Sequence, residues 1–224
     1  MIIFYKNFRR LERVYLSIQS VRYLFPTIEI HCLMQYKNSI DEINDNHIKQ
    51  FQYLNVVLHF EKKIYDFGVN GCGSSLNGYY FTEYINKLQK ISSNYEKVLM
   101  LDEDNFFTTG ETINFLLHNE YDFAYGTWTE PDGTKNSVNA SIICINSKKL
   151  ANLFPLPERN EYIEPLLRRE LLDKCVKLGY ITLKIPTRNF DNYGNDGLFT
   201  NDVEVIKKSL KLKNIVYKDL VNSS

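Results

Sequence analysis

The sequence predicts an α/β fold with a mostly parallel central sheet flanked by helices, and two observations lead to this prediction. Short apolar segments alternate with amphipathic ones over the first sixty residues, in the order β-α-β-α-β that is typical of such a sheet. A further apolar run, Val98 to Leu101, is too short for a free-standing helix and fits a buried strand. With 224 residues, 44% of them hydrophobic, the chain is long enough for one α/β domain.

The first half of the chain supplies three strands and three helices before the Val98 run. The first helix is predicted from Leu11, Val14, Tyr15 and Ile18, which recur at helical spacing, and Pro26 ends it. The predicted elements are a strand at 2–5, a helix at 8–25, a strand at 28–35, a helix at 39–54, a strand at 55–60 and a helix at 79–91.

The second half continues the alternation after residue 104. The predicted elements are a helix at 109–118, strands at 122–128 and 137–146, a brief helix up to 154, a long amphipathic helix at 162–178 and a strand at 181–185. Gly179 is expected to close the long helix, since glycine favours that position. From Pro186 the chain is polar and is predicted to be irregular through Gly197, and it then becomes basic around Lys207, where a solvated lysine cluster is expected.

Charge, cysteine content and hydropathy exclude several classes of protein. Lys+Arg and Asp+Glu both number 27, so no overall charge attracts nucleic acid or an anionic membrane. The four cysteines are scattered, which predicts reduced thiols rather than a zinc site or a disulfide framework. No apolar stretch approaches eighteen residues and the N-terminus lacks a signal-peptide pattern, so no membrane span and a cytoplasmic location are predicted.

Two carboxylates follow the Val98 run directly. Asp102 and Asp104 are spaced by one residue, so on an extended backbone both side chains face the same way. Ligands of open α/β sheets bind beyond the carboxyl ends of the strands, and hard oxygen ligands there suit Mg²⁺ or Mn²⁺ carrying a phosphate. The alternative is that Asp102 caps the next helix and Asp104 lies in a solvated turn.

A segment rich in glycine and small polar residues spans 68–78. Gly71 and Gly73 permit close approach of the backbone to a phosphate, which suits a mobile active-site loop. The segment lacks a Gly-Lys-Ser/Thr sequence, so an ordinary connection is the alternative.

The central third of the chain resembles glycosyltransferases of the GT-A fold. The segment Tyr95 to Asn105, with Leu-Asp-Glu-Asp at its centre, looks like the DxD segment of that family. Tyr121 to Gly126 is similar to the strand that follows a short helix there. Val138 to Leu150 resembles the family's "Asn-Ala-Gly" strand, with Ser141 in place of the usual glycine. Together these motifs cover roughly residues 79–150, in the family's order.

The resemblance implies a single GT-A glycosyltransferase domain over residues 1–224. Residues 1–105 would form its nucleotide-sugar-binding half, and residues 106–224 its acceptor side and C-terminal tail. The implied activity is metal-dependent transfer of a sugar from a nucleotide diphosphate sugar to a hydroxyl acceptor, a glycan or another alcohol. Mn²⁺ or Mg²⁺ would stabilise the charge that builds on the departing nucleoside diphosphate.

The resemblance also assigns roles to particular residues. Asp104 would bind the metal directly, and Asp102 would meet the ribose or a metal-bound water. The nucleotide would also be contacted by residues at the end of the first strand, namely Tyr5, Lys6 and Asn7. Asn139 would line the sugar and acceptor pocket.

Two features depart from the family pattern. Many members supply a third metal ligand, often a histidine, from the C-terminal segment, and this chain has no histidine after His118. Asp191 and Asp196 are the substitutes available there, with Asp191 expected as the metal ligand. The catalytic base is sought among Asp196, Glu130 and Glu161, so inversion or retention stays open.

Two other classes of protein remain as alternatives. A haloacid-dehalogenase-type phosphohydrolase also places Asp-x-Asp after an apolar strand, although normally early in the chain and followed by Thr or Val. A non-catalytic sugar- or nucleotide-binding module would carry the same site without a base. Binding of a nucleoside diphosphate only with Mn²⁺ or Mg²⁺ would favour the transferase over the phosphohydrolase.

Overall fold

A computed structural model describes residues 1–7, 11–35, 43–61, 76–102, 105–129, 135–159, 161–186, 197–199 and 203–221 of the chain. The strands are β1 (Ile2–Asn7), β2 (Glu29–Gln35), β3 (Val56–Glu61), β4 (Val98–Asp102), β5 (Asn105–Phe107), β6 (Phe123–Thr129), β7 (Lys135–Ile145), β8 (Thr182–Lys184) and β9 (Gly197–Phe199). The α-helices are α1 (Leu11–Leu24), α2 (Asp45–Tyr53), α3 (Leu76–Ile91), α4 (Glu111–His118), α5 (Ile163–Leu167), α6 (Asp173–Lys177) and α7 (Val203–Leu212).

Seven of these strands form one sheet, in the order β3-β2-β1-β4-β7-β6-β8. The pairs β1–β2, β2–β3 and β6–β8 are parallel, and β6–β7 is antiparallel. The predicted α/β class with a mostly parallel sheet is therefore confirmed. The β-α-β-α-β opening is confirmed as well, because β1, β2 and β3 are neighbours joined through α1 and α2. The strands β5 and β9 form a separate antiparallel pair.

By its internal contacts the chain divides into two compact units. One consists of Met1 with Tyr65–Leu99 and Phe115–Pro186, and the other of Ile2–Ile64, Met100–Asn114 and Thr187–Ser224. The predicted division into residues 1–105 and 106–224 concerns ligand-binding roles, and it stays a prediction.

The alternation of side chains along β1 explains its place in the core. Ile3 and Tyr5 point to one face of the sheet, where α1 lies, because Ser17 of that helix is within hydrogen-bond distance of the Tyr5 hydroxyl. Phe4 and Lys6 point to the opposite face and are also fully enclosed. The strand is buried on both faces, which is the reason for its continuous apolar start.

The long helix predicted at 162–178 is one continuous helical segment with an irregular centre. The turn at Arg168–Leu172 is a π-helix between α5 and α6, which sequence periodicity did not predict. Its predicted end is confirmed: Gly179 has φ +76°, and the N–H of Tyr180 donates to the carbonyl of Cys175 at 2.9 Å. This pattern is a Schellman cap, in which glycine takes the left-handed conformation.

The basic segment that follows Gly197, for which no element was predicted, contains the helix α7. Ile206 and Leu210 of this helix pack with Leu16 and Phe106, so its apolar face belongs to the core. Lys207 is not simply solvated, because it forms ion pairs of 2.8 Å with Glu12 and with Asp219. The lysines on the other faces of α7 obscured the helical spacing of its apolar residues.

Candidate active site

The strand β4 delivers a carboxylate to its carboxyl end, as predicted. Its first four residues are fully buried, and Asp102 is the residue at which exposure begins, with 15% of its side chain accessible. Because β1 and β4 are neighbours in the sheet, residues at the end of β1 are close to Asp102. This edge is where an open α/β sheet binds its ligands.

Lys6 forms an ion pair with Asp102. Its ammonium contacts Oδ1 of Asp102, and its side chain is completely enclosed. Oδ1 is itself buried, whereas the Asp102 side chain as a whole is partly accessible. Burying an ammonium is costly unless it is paired, so the pair favours one orientation of the Asp102 carboxylate.

Tyr5 points the opposite way and makes a second connection to the same segment. Its hydroxyl lies 2.9 Å from Ser17 Oγ, which also hydrogen-bonds to the main-chain oxygen of Asn105. The N–H of Phe107 donates to Ser20 Oγ at 3.3 Å, so two serines of α1 hold β5. Complete burial raises the pKa of the Tyr5 phenol well above its usual range, so the phenol stays protonated.

Asn139 lies in an irregular part of β7. The register with β6 shifts between Tyr125 and Gly126, which pair with Ile143 and Asn139 respectively, so residues 140–142 form a bulge. Oδ1 of Asn139 accepts the N–H of Ser141 at 2.9 Å. Within the part of the chain that the structure describes, Nδ2 of this buried side chain has no hydrogen-bond partner. An unmatched buried donor is uncommon and suits a ligand contact.

Glu161, one of the candidate bases, is held by Arg169. The guanidinium donates to both carboxylate oxygens, from Nη1 to Oε2 at 3.1 Å and from Nη2 to Oε1. This hydrogen bonding lowers the pKa of Glu161 below its ordinary value. A carboxylate stabilised in its charged form is a weaker general base, so the pairing with Arg169 makes Glu161 less suitable for that role.

The structure describes only some of the other predicted site residues. Asp104, Asp191, Asp196 and Glu130 lie outside the described residues, as does most of the glycine-rich segment predicted at 68–78. Asn7 ends β1. Contact of Tyr5, Lys6 and Asn7 with a nucleotide stays a prediction, and the side chains of Tyr5 and Lys6 are directed to protein partners instead.

The comparison with solved structures places the fold. A galactosyltransferase, LgtC, in complex with donor and acceptor sugar analogues matches with TM-score 0.54 at 15% identity, over 98% of this chain and 85% of that one. A putative glucose-1-phosphate thymidylyltransferase from Bacillus anthracis matches with TM-score 0.57 at 8% identity, over 97% of both chains. The apo form of the glycosyltransferase GlyE from Streptococcus pneumoniae matches with TM-score 0.51 at 16% identity, over 97% and 64%.

The chain has a GT-A-type fold. The three structures include both glycosyl- and nucleotidyltransferases, and at such low identities the likeness shows fold alone. No family model and no curated protein sequence matches the chain.

Two further properties concern the described residues as a whole. Among them no three histidines, cysteines or carboxylates come together as a metal-binding group. No helix in this part of the chain has the length and apolar character needed to cross a membrane.

Proposed function

We propose that this protein is a glycosyltransferase that moves a sugar from a nucleotide diphosphate sugar to a hydroxyl acceptor, with Mn²⁺ or Mg²⁺ as its cofactor. The observation that carries the proposal is the Lys6–Asp102 pair, which fixes a partly accessible carboxylate at the carboxyl end of β4. The GT-A-type fold supports a nucleotide sugar as the ligand of this edge.

Carboxylates suit a divalent cation, and we give different roles to Asp102 and to the other aspartates. Lys6 already neutralises Asp102 at Oδ1, so Asp102 suits hydrogen bonding to a ribose hydroxyl or a metal-bound water better than it suits primary metal ligation. We assign primary ligation to Asp104, with Asp191 as a further carboxylate ligand. When bound, the cation would stabilise the negative charge of the departing nucleoside diphosphate.

Each remaining residue contributes binding or orientation. The Asp102 carboxylate accepts a hydrogen bond from the ligand, and the Nδ2 of Asn139, which has no partner among the described residues, donates one to a sugar hydroxyl. A base that removes the proton of the acceptor hydroxyl is assigned to Asp196 or Glu130. Residues 1–105 then bind mainly the donor and residues 106–224 mainly the acceptor, in one domain that we place in the cytoplasm.

Nucleotidyl transfer is the second candidate, because nucleotidyltransferases share this fold. A loop that cradles a triphosphate at the start of a helix commonly uses glycine for close backbone approach. The first glycine of this chain is Gly68, so the connection between β1 and α1, residues 8–10, contains none. This composition favours a nucleoside diphosphate donor over a triphosphate.

The decisive experiment combines binding with product analysis. UDP-, GDP-, CDP-, ADP- and dTDP-sugars are screened by thermal shift with and without Mn²⁺, since a ligand that binds the native state raises its stability. Hits are then tested for release of the nucleoside diphosphate and for sugar transfer to alcohol acceptors. Nucleoside triphosphates with sugar 1-phosphates are run in parallel, and pyrophosphate release there would identify the nucleotidyltransferase.

Two variants sharpen the result. Asp104→Ala is expected to abolish metal-dependent binding, and Asp102→Asn to weaken nucleotide binding at a temperature where the variant is still folded. Asp45→Asn, an exposed carboxylate in the first turn of α2, is the matched control and should behave as wild type. If Asp104→Ala binds and turns over donor normally, the metal site is misassigned. Binding without hydrolysis or transfer to any acceptor would identify a non-catalytic module.

A further inference from the structure

The outer side of α7 and of the segment that follows it is basic. Ile206 and Leu210 of this helix pack in the core, so positions 208, 211 and 212 lie on its opposite side. Residues 203–221 contain five lysines and two carboxylates, which gives a net charge of +3 (5 minus 2) in a chain whose total is zero. Four of these lysines are exposed, namely Lys208, Lys211, Lys213 and Lys218.

The carboxylates near this segment are grouped around the fifth lysine. The ammonium of Lys207 lies 2.8 Å from carboxylate oxygens of both Glu12 and Asp219. Glu204 is 3.6 Å from the same ammonium. Among the described residues no carboxylate pairs with any of the four exposed lysines. Their charges are therefore available to an anionic partner.

Large apolar side chains are exposed among the same lysines. Leu212 is 73% exposed, and Val216 and Tyr53 are each 75% exposed. These are the three highest exposures of large apolar side chains in the part of the chain that the structure describes. The centre of the Tyr53 ring lies 5.1 Å from the Lys218 ammonium, so this ring belongs to the same region. We call the four exposed lysines, together with Leu212 and Val216, the basic surface.

The turn after α7 keeps the two aliphatic side chains outside the core. The N–H of Ile215 donates to the carbonyl of Leu210 at 2.9 Å, and the N–H of Asn214 donates to that of Lys211 at 3.0 Å. Asn214 has φ +56°, so the turn is a Schellman cap with asparagine in the left-handed conformation. The cap returns Ile215 to the core beside Leu210, while the aliphatic residues before and after it stay exposed.

An anionic lipid bilayer suits both kinds of residue in the basic surface. Each lysine near an anionic membrane increases binding about fivefold, and aliphatic side chains enter the boundary between the headgroups and the acyl chains. Tyrosine is enriched at the same boundary, which suits the exposed ring of Tyr53. Nucleic acid would pair with the lysines but would leave Leu212 and Val216 in water. A second copy of this surface would bring lysines against lysines.

We propose that this protein binds an anionic lipid bilayer through the basic surface. The four lysines bind the headgroup phosphates, and Leu212 and Val216 enter the boundary below them. The inner side of α7 packs against Phe106, in the compact unit that also contains Asp102, so binding brings the candidate site to the membrane. Membrane binding does not depend on sugar transfer, and it is expected even if the protein binds no nucleotide sugar.

Co-sedimentation with lipid vesicles tests the proposal. Wild-type protein is mixed with vesicles of phosphatidylcholine and phosphatidylglycerol in equal parts, and separately with vesicles of phosphatidylcholine alone. We expect the protein to bind the first and to remain in solution with the second. Added NaCl should release the bound protein, because salt screens the attraction. Equal binding to both kinds of vesicle, or binding to neither, would overturn the proposal.

Two variants distinguish the contribution of the lysines from that of the aliphatic side chains. Lys208→Gln/Lys211→Gln/Lys213→Gln should weaken binding to the anionic vesicles about a hundredfold, in line with about fivefold for each lysine. Leu212→Ser/Val216→Ser should weaken it about tenfold, because two apolar groups no longer enter the membrane. Circular dichroism establishes a temperature at which each variant is folded, and binding is measured there.

Each variant has a matched control in the other compact unit. Lys148→Gln/Lys177→Gln/Lys184→Gln removes three exposed charges. Val176→Ser/Leu178→Ser removes two apolar side chains that are 62% and 55% exposed. Both controls should bind the anionic vesicles as wild type. Losses in the controls as large as those in the variants would mean that the basic surface is not where the membrane binds.

Nucleic acid is tested as the competing partner. A fluorescently labelled single-stranded RNA oligonucleotide is titrated with wild-type protein and with both variants. We expect RNA to bind more weakly than the anionic vesicles do, since the lysines alone contribute to its binding. Tighter binding of RNA, or vesicle binding that is unchanged in Leu212→Ser/Val216→Ser, would overturn the assignment of a bilayer to this surface.

Discussion

The enclosed ammonium of Lys6 and the inner oxygen of Asp102 form an ion pair that orients the carboxylate at the end of β4. The two residues lie 96 positions apart in the sequence (102 minus 6), on strands that are neighbours in the sheet. Both residues were predicted to bind ligand, but the sequence does not show that they pair with each other. Their pairing gives Lys6 a protein partner, and its contact with a nucleotide stays a prediction.

The first prediction concerns the stability of this pair. Lys6→Met leaves the inner oxygen of Asp102 without its counter-charge and should lower the free energy of unfolding by about 3–5 kcal/mol. The double variant Lys6→Met/Asp102→Leu removes both charges and should be more stable than Lys6→Met alone. Urea denaturation of wild type, both single variants and the double variant measures the coupling. If the double variant lost as much free energy of unfolding as the two single variants together, the two residues would not interact.

The second prediction is a pH dependence at Arg169. Hydrogen bonds from Arg169 lower the pKa of Glu161, and Lys174 together with Arg169 lowers that of Glu170. An unfolded-state glutamate titrates near pH 4.3, so the stabilisation is fully present above about pH 5. It is lost as the pH falls below that value through the lowered native pKa values.

Thermal unfolding of Arg169→Met and wild type between pH 3 and pH 7 measures this effect. The difference in melting temperature should be largest above pH 5 and should shrink toward pH 3. Lys177→Met, an exposed cation in the last turn of α6, should show no such trend. A constant difference between Arg169→Met and wild type over the whole range would contradict the assignment.

The order of strands and helices could be read from the sequence because it depends on local apolar patterns. Val98 to Leu101 is fully buried, as its continuous apolar character predicted. The end of the long helix was equally readable, since Gly179 is required by the left-handed conformation of its cap. Such features depend on one segment and on the conformations that its residues permit.

The candidate site could be predicted only in part from the sequence, because its contacts join segments that are far apart in the chain. Asp102 was found from its place after an apolar strand, but nothing in sequence marks Lys6 as its partner. Ser17 was missed for the same reason. Its only signal was a buried serine on the apolar side of α1, beside Leu16 and Ile18. A polar residue at such a position requires a partner, and that partner, Asn105, is 88 residues away.

The third prediction concerns Lys97, which caps the end of α4. Its ammonium donates to the main-chain oxygens of Leu116, Leu117 and Asn119 at 2.9, 3.2 and 3.0 Å, and lies 4.8 Å from the centre of the Tyr121 ring. A cation at a helix C-terminus is favourable, so Lys97→Met should cost about 1–2 kcal/mol in chemical denaturation. Lys148→Met is the control.

The control compares the stability lost with a capping ammonium with that lost with an ordinary surface charge. Lys148 is exposed and lies 3.8 Å from Glu96, so its loss should cost less than about 0.5 kcal/mol. Equal destabilisation by the two variants would show that Lys97 contributes only its general charge. Salt should reduce the small effect of Lys148→Met more than that of Lys97→Met, because the Lys97 bonds are partly buried.

The fourth prediction concerns two thiols. Burial raises the pKa of Cys144 and that of Cys175 to about 12, so both are protonated at pH 8. Neither should react with iodoacetamide in the native protein, and both should react in 6 M guanidinium chloride. Peptide mapping after labelling identifies the modified cysteines. Rapid native labelling of either residue would show that its part of the fold opens readily.

The last prediction compares two glutamines that hold the C-terminal residues by the same chemistry. The buried amide of Gln19 donates to the oxygen of Lys218 at 2.8 Å and accepts its N–H at 2.7 Å. Gln50 makes the same pair with Val221, at 3.0 Å in both bonds, in a more exposed position. Gln19→Ala should therefore lower the free energy of unfolding by about 1–3 kcal/mol, whereas Gln50→Ala should cost less than about 1 kcal/mol. Urea denaturation measures both costs, and hydrogen exchange of residues 215–221 should rise about tenfold in Gln19→Ala. Equal costs for the two variants would mean that burial does not determine the strength of these amide pairs.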